Sequence, residues 1–124
     1  MLTVIAYGLA VVLNLLVLFI GARFLLAPEA AATGYGVPAK KDGEAGAYLT
    51  IKGSRDASYG VLGLALLAFA GPSAAAWFML IVALNPIFDT FIVLRHGGAK
   101  AVAFGIHFAT AVTVLISAAL LFLV

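Results

Sequence analysis

Cysteine is absent from the 124 residues, which excludes disulfides, thiolate nucleophiles and cysteine-ligated zinc or iron–sulfur centres. Charge is scarce. Five Asp and Glu and seven Lys and Arg make up 10% of the chain, too little to solvate the surface of an ordinary water-soluble domain. There are two histidines, and one buried His with two Asp falls short of the ligand set and second shell that a metal needs, so neither a metal nor another cofactor is expected. The net charge of +2 and the pI near 9.2 point towards nucleic acid only superficially. No basic patch interleaves with aromatics, and no nucleic-acid partner is expected. What fills the chain is apolar: hydrophobic residues reach 65% and the mean hydropathy is +1.22. A bilayer is the expected solvent and membrane lipids the expected surroundings.

Met1 to Ala22 carries no charge. At about 1.5 Å per residue it is long enough to cross a hydrocarbon core of roughly 30 Å. A secretory signal would place basic residues before a shorter apolar core, so this segment is expected to stay as a spanning helix. From Ala57 to Phe88 no side chain is charged, and Gly71-Pro72-Ser73 breaks that run into a tight helical hairpin. The second helix is placed at about 47–70 and the third at about 73–94, stopped by Gly97-Gly98. The fourth runs from about Lys100 to the end. Between the first and second helices, the stretch from Arg23 past Pro28, Pro38 and Glu44 reads as the one substantial loop. The expected fold is all-α: a single domain, residues 1–124, forming an integral membrane four-helix bundle that runs up-down-up-down.

The cations sort across this map. Arg23, Lys40, Lys41, Lys52 and Arg55 gather at the first connection, and Arg95 and Lys100 at the third. The positive-inside rule then places both connections in the cytoplasm and both termini outside, in the inner membrane of a bacterial cell.

Ionised side chains at membrane depth are expensive, so they face the bundle interior and find partners there. Spacings of three and four put Lys52, Arg55, Asp56, Tyr59 and Gly63 on one stripe of the second helix. Phe78, Val82, Asn85, Asp89 and Ile92 share a stripe on the third, and Lys100, Phe104, His107, Ala111 and Val114 one on the fourth. The first helix offers Tyr7, Asn14 and Gly21. Counted from the charged ends, Asp89, His107, Asp56, Asn14 and Asn85 lie between about 9 and 15 Å deep. Four helices thus bring polar groups to one level, as the wall of a pocket in the cytoplasmic half of the bundle.

Gly34-Tyr35-Gly36-Val37-Pro38, then Lys52-Gly53-Ser54-Arg55-Asp56 with Gly60, then Asp89 ahead of Arg95-His96-Gly97, then His107, together resemble the DUF4267 family of small four-helix membrane proteins over most of the chain. The resemblance implies that fold, and it places Arg55, Asp56, Asp89 and His107 in the family pattern. It implies no particular reaction. Two other patterns fail on context. Gly34-x-Gly36-x-x-Ala39 spells part of a dinucleotide fingerprint, yet Pro38 interrupts it and no strand precedes it. Ser58, His107 and Asp89 have the residue types of a hydrolytic triad without the elbow that would expose the serine.

Two functional readings follow. In the first, the protein is an enzyme that binds an apolar, lipid-like small molecule, a terpenoid or polyketide for example, and performs isomerisation, cyclisation or epoxide opening. Asp89 and Asp56 are the acid/base candidates and His107 the shuttle or second acid/base group. Arg55 anchors the ligand electrostatically, while Asn14, Asn85 and Tyr59 orient it. In the second, the polar set is structural. The carboxylates pair with Lys52, Arg55 or Arg95 to hold an accessory subunit together, or serve a small proton- or ligand-coupled transporter working as a homo-oligomer, although paired broken helices are not visible in the sequence. Under that reading Asn85 satisfies the carbonyl freed by Pro86, His107 bonds one helix to another, and His96 sits at a helix C-terminal dipole.

Overall fold

The computed structural model describes residues 1–124, all helices and connecting turns without a strand. Helix α1 spans Leu2–Leu26 and α2 spans Pro28–Tyr35. Helix α3 spans Gly46–Ala65 and continues through a π-helical turn, Leu66–Ala70. Helices α4, Pro72–Arg95, and α5, Lys100–Phe122, complete the chain. Three of these, α1, α4 and α5, have 25, 24 and 23 residues and are long and apolar enough to cross a membrane. Helix α3 falls outside that group because Lys52, Arg55 and Asp56 crowd its N-terminal half.

The expected long loop is in part a helix. Ala27 leaves helical geometry at φ −140°, ψ 65°, and Pro28 then opens α2 at its first position, where a missing N–H costs nothing. Gly36 closes α2 in the left-handed region at φ 97°. Val37 N–H donates to the Ala32 carbonyl and Gly36 N–H to that of Thr33, each at 3.2 Å, which is a Schellman closure. Other boundaries shift for equally local reasons. Helix α1 runs past the charge-free stretch to Leu26 and stops ahead of Pro28, which disfavours helical geometry at Ala27, with Arg23 in its last turn at the negative end of the dipole. Two helices are interrupted. Helix α4 breaks at Ala83, just ahead of Pro86, whose nitrogen cannot bond the Val82 carbonyl. Helix α5 changes to π-helical geometry over Ala103–Phe108.

Packing places small residues inside and large ones outside. The main core gathers Ala6, Ala10, Ala75, Ala76, Ala83 and Ala118 around Leu67, Met79 and Leu121, while Phe19, Phe69, Phe88 and Phe91 are exposed. That is the order expected where lipid removes the hydrophobic drive between helices and close backbone approach supplies the attraction. The antiparallel pair α1 and α3 shows it most clearly. A Cβ on Gly21 would lie 2.4 Å from the Ala57 nitrogen, and one on Gly63 would collide with the Asn14 side chain. Helix α4 packs along α5, with Trp77 edge-on to Phe122 at 5.2 Å between ring centroids. The two pairs face each other, and α2 lies across their charged end.

Candidate functional site

A cavity of about 500 Å³ lies between the α1/α3 pair and the α4/α5 pair. All seven residues singled out from the sequence line it: Asn14 from α1, Arg55, Asp56 and Tyr59 from α3, Asn85 and Asp89 from α4, and His107 from α5. Its remote end is apolar, walled by Leu13, Phe78, Met79, Val82 and Val114, and its other end carries Arg23, Lys52 and Arg55.

Tyr35 organises the polar end. It is the last residue of α2, and the Schellman turn that follows fixes its direction into the bundle. Its phenol O–H donates to Asp89 Oδ2. Its backbone carbonyl accepts from His107 Nε2 at 2.7 Å. Since a carbonyl only accepts, Nε2 carries a proton. The Tyr35 ring lies 4.2 Å from the His107 ring and 5.5 Å, edge-on, from that of Phe24. Lys52 Nζ stands 4.2 Å from the Tyr35 centroid, within cation–π range. Burial, and next the negative charge of Asp89, push the Tyr35 phenol well above its ordinary value of 10. It therefore stays protonated and serves as a donor.

The remaining residues divide. Asp56 pairs with Lys52, Oδ2 to Nζ at 2.8 Å, one turn apart on α3. Neither Asp56 nor Asp89 meets an arginine, and Arg55 and Arg95 are exposed. Asn14 is only 3% exposed; its amide donates to the Ala10 carbonyl at 2.8 Å and lies 3.8 Å from Met79 Sδ. Asn85 is exposed and its side chain makes no hydrogen bond, so it does not satisfy the carbonyl freed by Pro86. Tyr59 is half-buried at the cavity wall. Ser58 donates to the Ser54 carbonyl on its own helix, away from His107. His96 Nδ1 lies 2.9 Å from the Ile92 carbonyl in the last turn of α4. No three His, Asp or Glu side chains converge as a metal site requires.

A family model described as a domain of unknown function, DUF4267, matches residues 14–121. The chain belongs to this family. No curated protein and no solved structure matches it. The span that this DUF4267 chain shares with its family begins at Asn14 and takes in every residue of the polar cluster, Tyr35 included. Sequence reasoning missed Tyr35 as a site residue. Its signals were its place between two glycines, Gly34 and Gly36, and in the motif that carries the family resemblance, in a segment read as loop.

The cluster has a definite chemical capacity. A phenol and a carboxylate share a hydrogen bond at the edge of an apolar chamber, so a proton donor and a proton acceptor face the same space. The His107 ring, 4.2 Å from that of Tyr35 between centroids, stands beside the phenol.

Proposed function

We propose that this DUF4267 protein is a four-span membrane protein, running up-down-up-down with both termini extracytoplasmic, that binds an apolar, lipid-like molecule between its helix pairs and performs acid/base chemistry on it. The observation that carries this reading is the contact between Tyr35 and Asp89 at the edge of a cavity whose far end is apolar. Helix α3 with its π-turn, residues 46–70, would reach about 37 Å as a regular helix, so it is long enough to accompany the other three across the bilayer. Its charges fall at the end where α2 lies. In the reaction, Asp89 removes a proton from the ligand, Tyr35 supplies one to the atom where negative charge develops, and His107 relays between them. Asp56, held by Lys52, fixes the cation beside the phenol ring. An isomerisation, with one proton removed and one returned, uses this pair most directly; epoxide opening or cyclisation would draw on the same donor.

A second reading has an observation of its own. Tyr35 bonds Asp89 and His107, Lys52 bonds Asp56 and stands over the Tyr35 ring, as structural glue in an accessory subunit or small transporter would. Copurification separates the two readings. Native mass spectrometry of the purified parent should find a specific apolar molecule bound, lost from folded Asp89→Asn and His107→Ala variants. An empty parent, with variants that fail to assemble, would leave the structural reading standing and end the catalytic one.

A further inference from the structure

The cavity carries charge that its own carboxylates do not use. Three of the chain's seven Lys and Arg residues line it: Arg23, Lys52 and Arg55. Lys52 is taken by Asp56. The Arg23 and Arg55 side chains make neither an ion pair nor a hydrogen bond, and both line the cavity from helices that the contact of Gly21 with Gly53 and Ala57 holds close together. From the cavity's charged end the lining runs along α1 from Phe24 to Leu13, about 16 Å of helix, into apolar walls. Exposed Asn85 lies on the wall between α4 and α3, and α3 meets α4 chiefly through its π-helical end.

We propose that the ligand is an anionic amphiphile, an acyl or isoprenoid chain ending in a carboxylate or phosphate, with its head between the Arg23 and Arg55 guanidiniums and its tail along α1. This rests on the pocket reading above and narrows its ligand class. Guanidiniums bind carboxylate and phosphate through paired N–H donors, and a head group at the mouth leaves the chain's reactive carbons beside Asp89 and Tyr35.

Binding of hexadecyl phosphate, palmitate, hexadecanol and inorganic phosphate to the full-length protein in phosphatidylcholine nanodiscs tests this. Both anionic amphiphiles should bind at least about tenfold more tightly than hexadecanol, the scale of a charge-assisted hydrogen bond. Inorganic phosphate should not compete. Arg23→Gln with Arg55→Gln should erase the preference, and the corresponding Lys variants should keep it. Val82→Trp, which fills the chamber, should abolish tail-dependent binding and so separates the cavity from adsorption on the surface. Equal binding of hexadecanol and palmitate, or Gln variants that behave as the parent, would overturn the anionic head while leaving an apolar pocket. Effective competition by inorganic phosphate would reduce the arginines to a free-anion site and overturn the amphiphile. Failure of every long-chain probe to bind would overturn this inference and the pocket together.

Discussion

Replacing Tyr35 by Phe removes one oxygen atom and leaves nearly everything else around it intact. The ring still lies against His107 and Phe24 and under Lys52, and the backbone carbonyl still accepts from His107 Nε2. What is lost is the donor to Asp89. A hydrogen bond to a charged group contributes about 1.5–3 kcal/mol, and a partly buried carboxylate deprived of its donor bears the upper part of that range. Tyr35→Phe should therefore destabilise the fold by about 2.5–3 kcal/mol. Tyr35→Ala should cost about 3–5 kcal/mol, because the aromatic contacts and the filled volume go too. Unfolding followed in micelles by the fluorescence of Trp77, the chain's one tryptophan, measures both.

Asp89→Ala closes the cycle. If the phenol and carboxylate act on each other, the double variant Tyr35→Phe with Asp89→Ala should be less destabilised than the sum of the single changes, by about 1–2 kcal/mol. A Tyr35→Phe variant as stable as the parent, or two changes that simply add, would refute the coupling on which the proposed acid/base pair depends.

Other outcomes follow from the same geometry. Gly21→Ala places a methyl against the Ala57 backbone and should weaken the α1–α3 contact by about 1–3 kcal/mol, whereas Gly8→Ala, with open space around it, should be neutral or slightly stabilising in the same unfolding assay. Alkaline titration should show a late step. The Tyr35 value is raised in the fold above its unfolded value of 10, so its contribution is fully present below about pH 10 and is lost as the pH climbs beyond it. Tyr35→Phe should remove that step from the ultraviolet tyrosinate signal and from the unfolding curve, and an unchanged curve would dismiss it. Because the chain has no cysteine, single-cysteine variants report topology directly. Asp42→Cys should react with a membrane-impermeant maleimide only after the cells are opened, and Ser73→Cys in intact cells; the reverse pattern would invert the orientation.

The helices were legible where charge was scarce. Uninterrupted apolar runs and the Gly71-Pro72 break define α1 and the α3–α4 hairpin, and the periodic spacing of Asp56, Asp89 and His107 was enough to bring them to one cavity. Partners were less legible. Asp56 took Lys52, one of the three cations expected for it, whereas Asp89 chose a phenol over the expected cations. The phenol belongs to a segment whose glycines, alanines and lysines resembled loop, although Pro28 and Gly36 bracket α2 with a helix's start and stop residues. Eight residues are too few to show hydrophobic periodicity clearly. The interruption at Ala83 was legible in Pro86, whereas the one over Ala103–Phe108 was hidden: a π-turn preserves composition and changes only which carbonyl each amide reaches.

Tyr35 also explains why α2 is a helix at all. The α1/α3 pair is locked by glycine contacts and the α4/α5 pair runs side by side, so each is tight within itself, while the cavity keeps the pairs apart at the charged end. Something must span that gap, and a flexible loop could do so only by giving up conformational entropy at each ordered residue. A short helix begun by proline and closed by a left-handed glycine delivers one side chain at a fixed angle from a few residues. That side chain touches both pairs: Phe24 and Lys52 on one, Asp89 and His107 on the other. Opening of the charged end to admit a ligand must then break the same hydrogen bond that aligns the proton donor with its acceptor. Entry and chemistry would be coupled through Tyr35, with the acid/base pair reassembled only when α2 settles back over an occupied chamber.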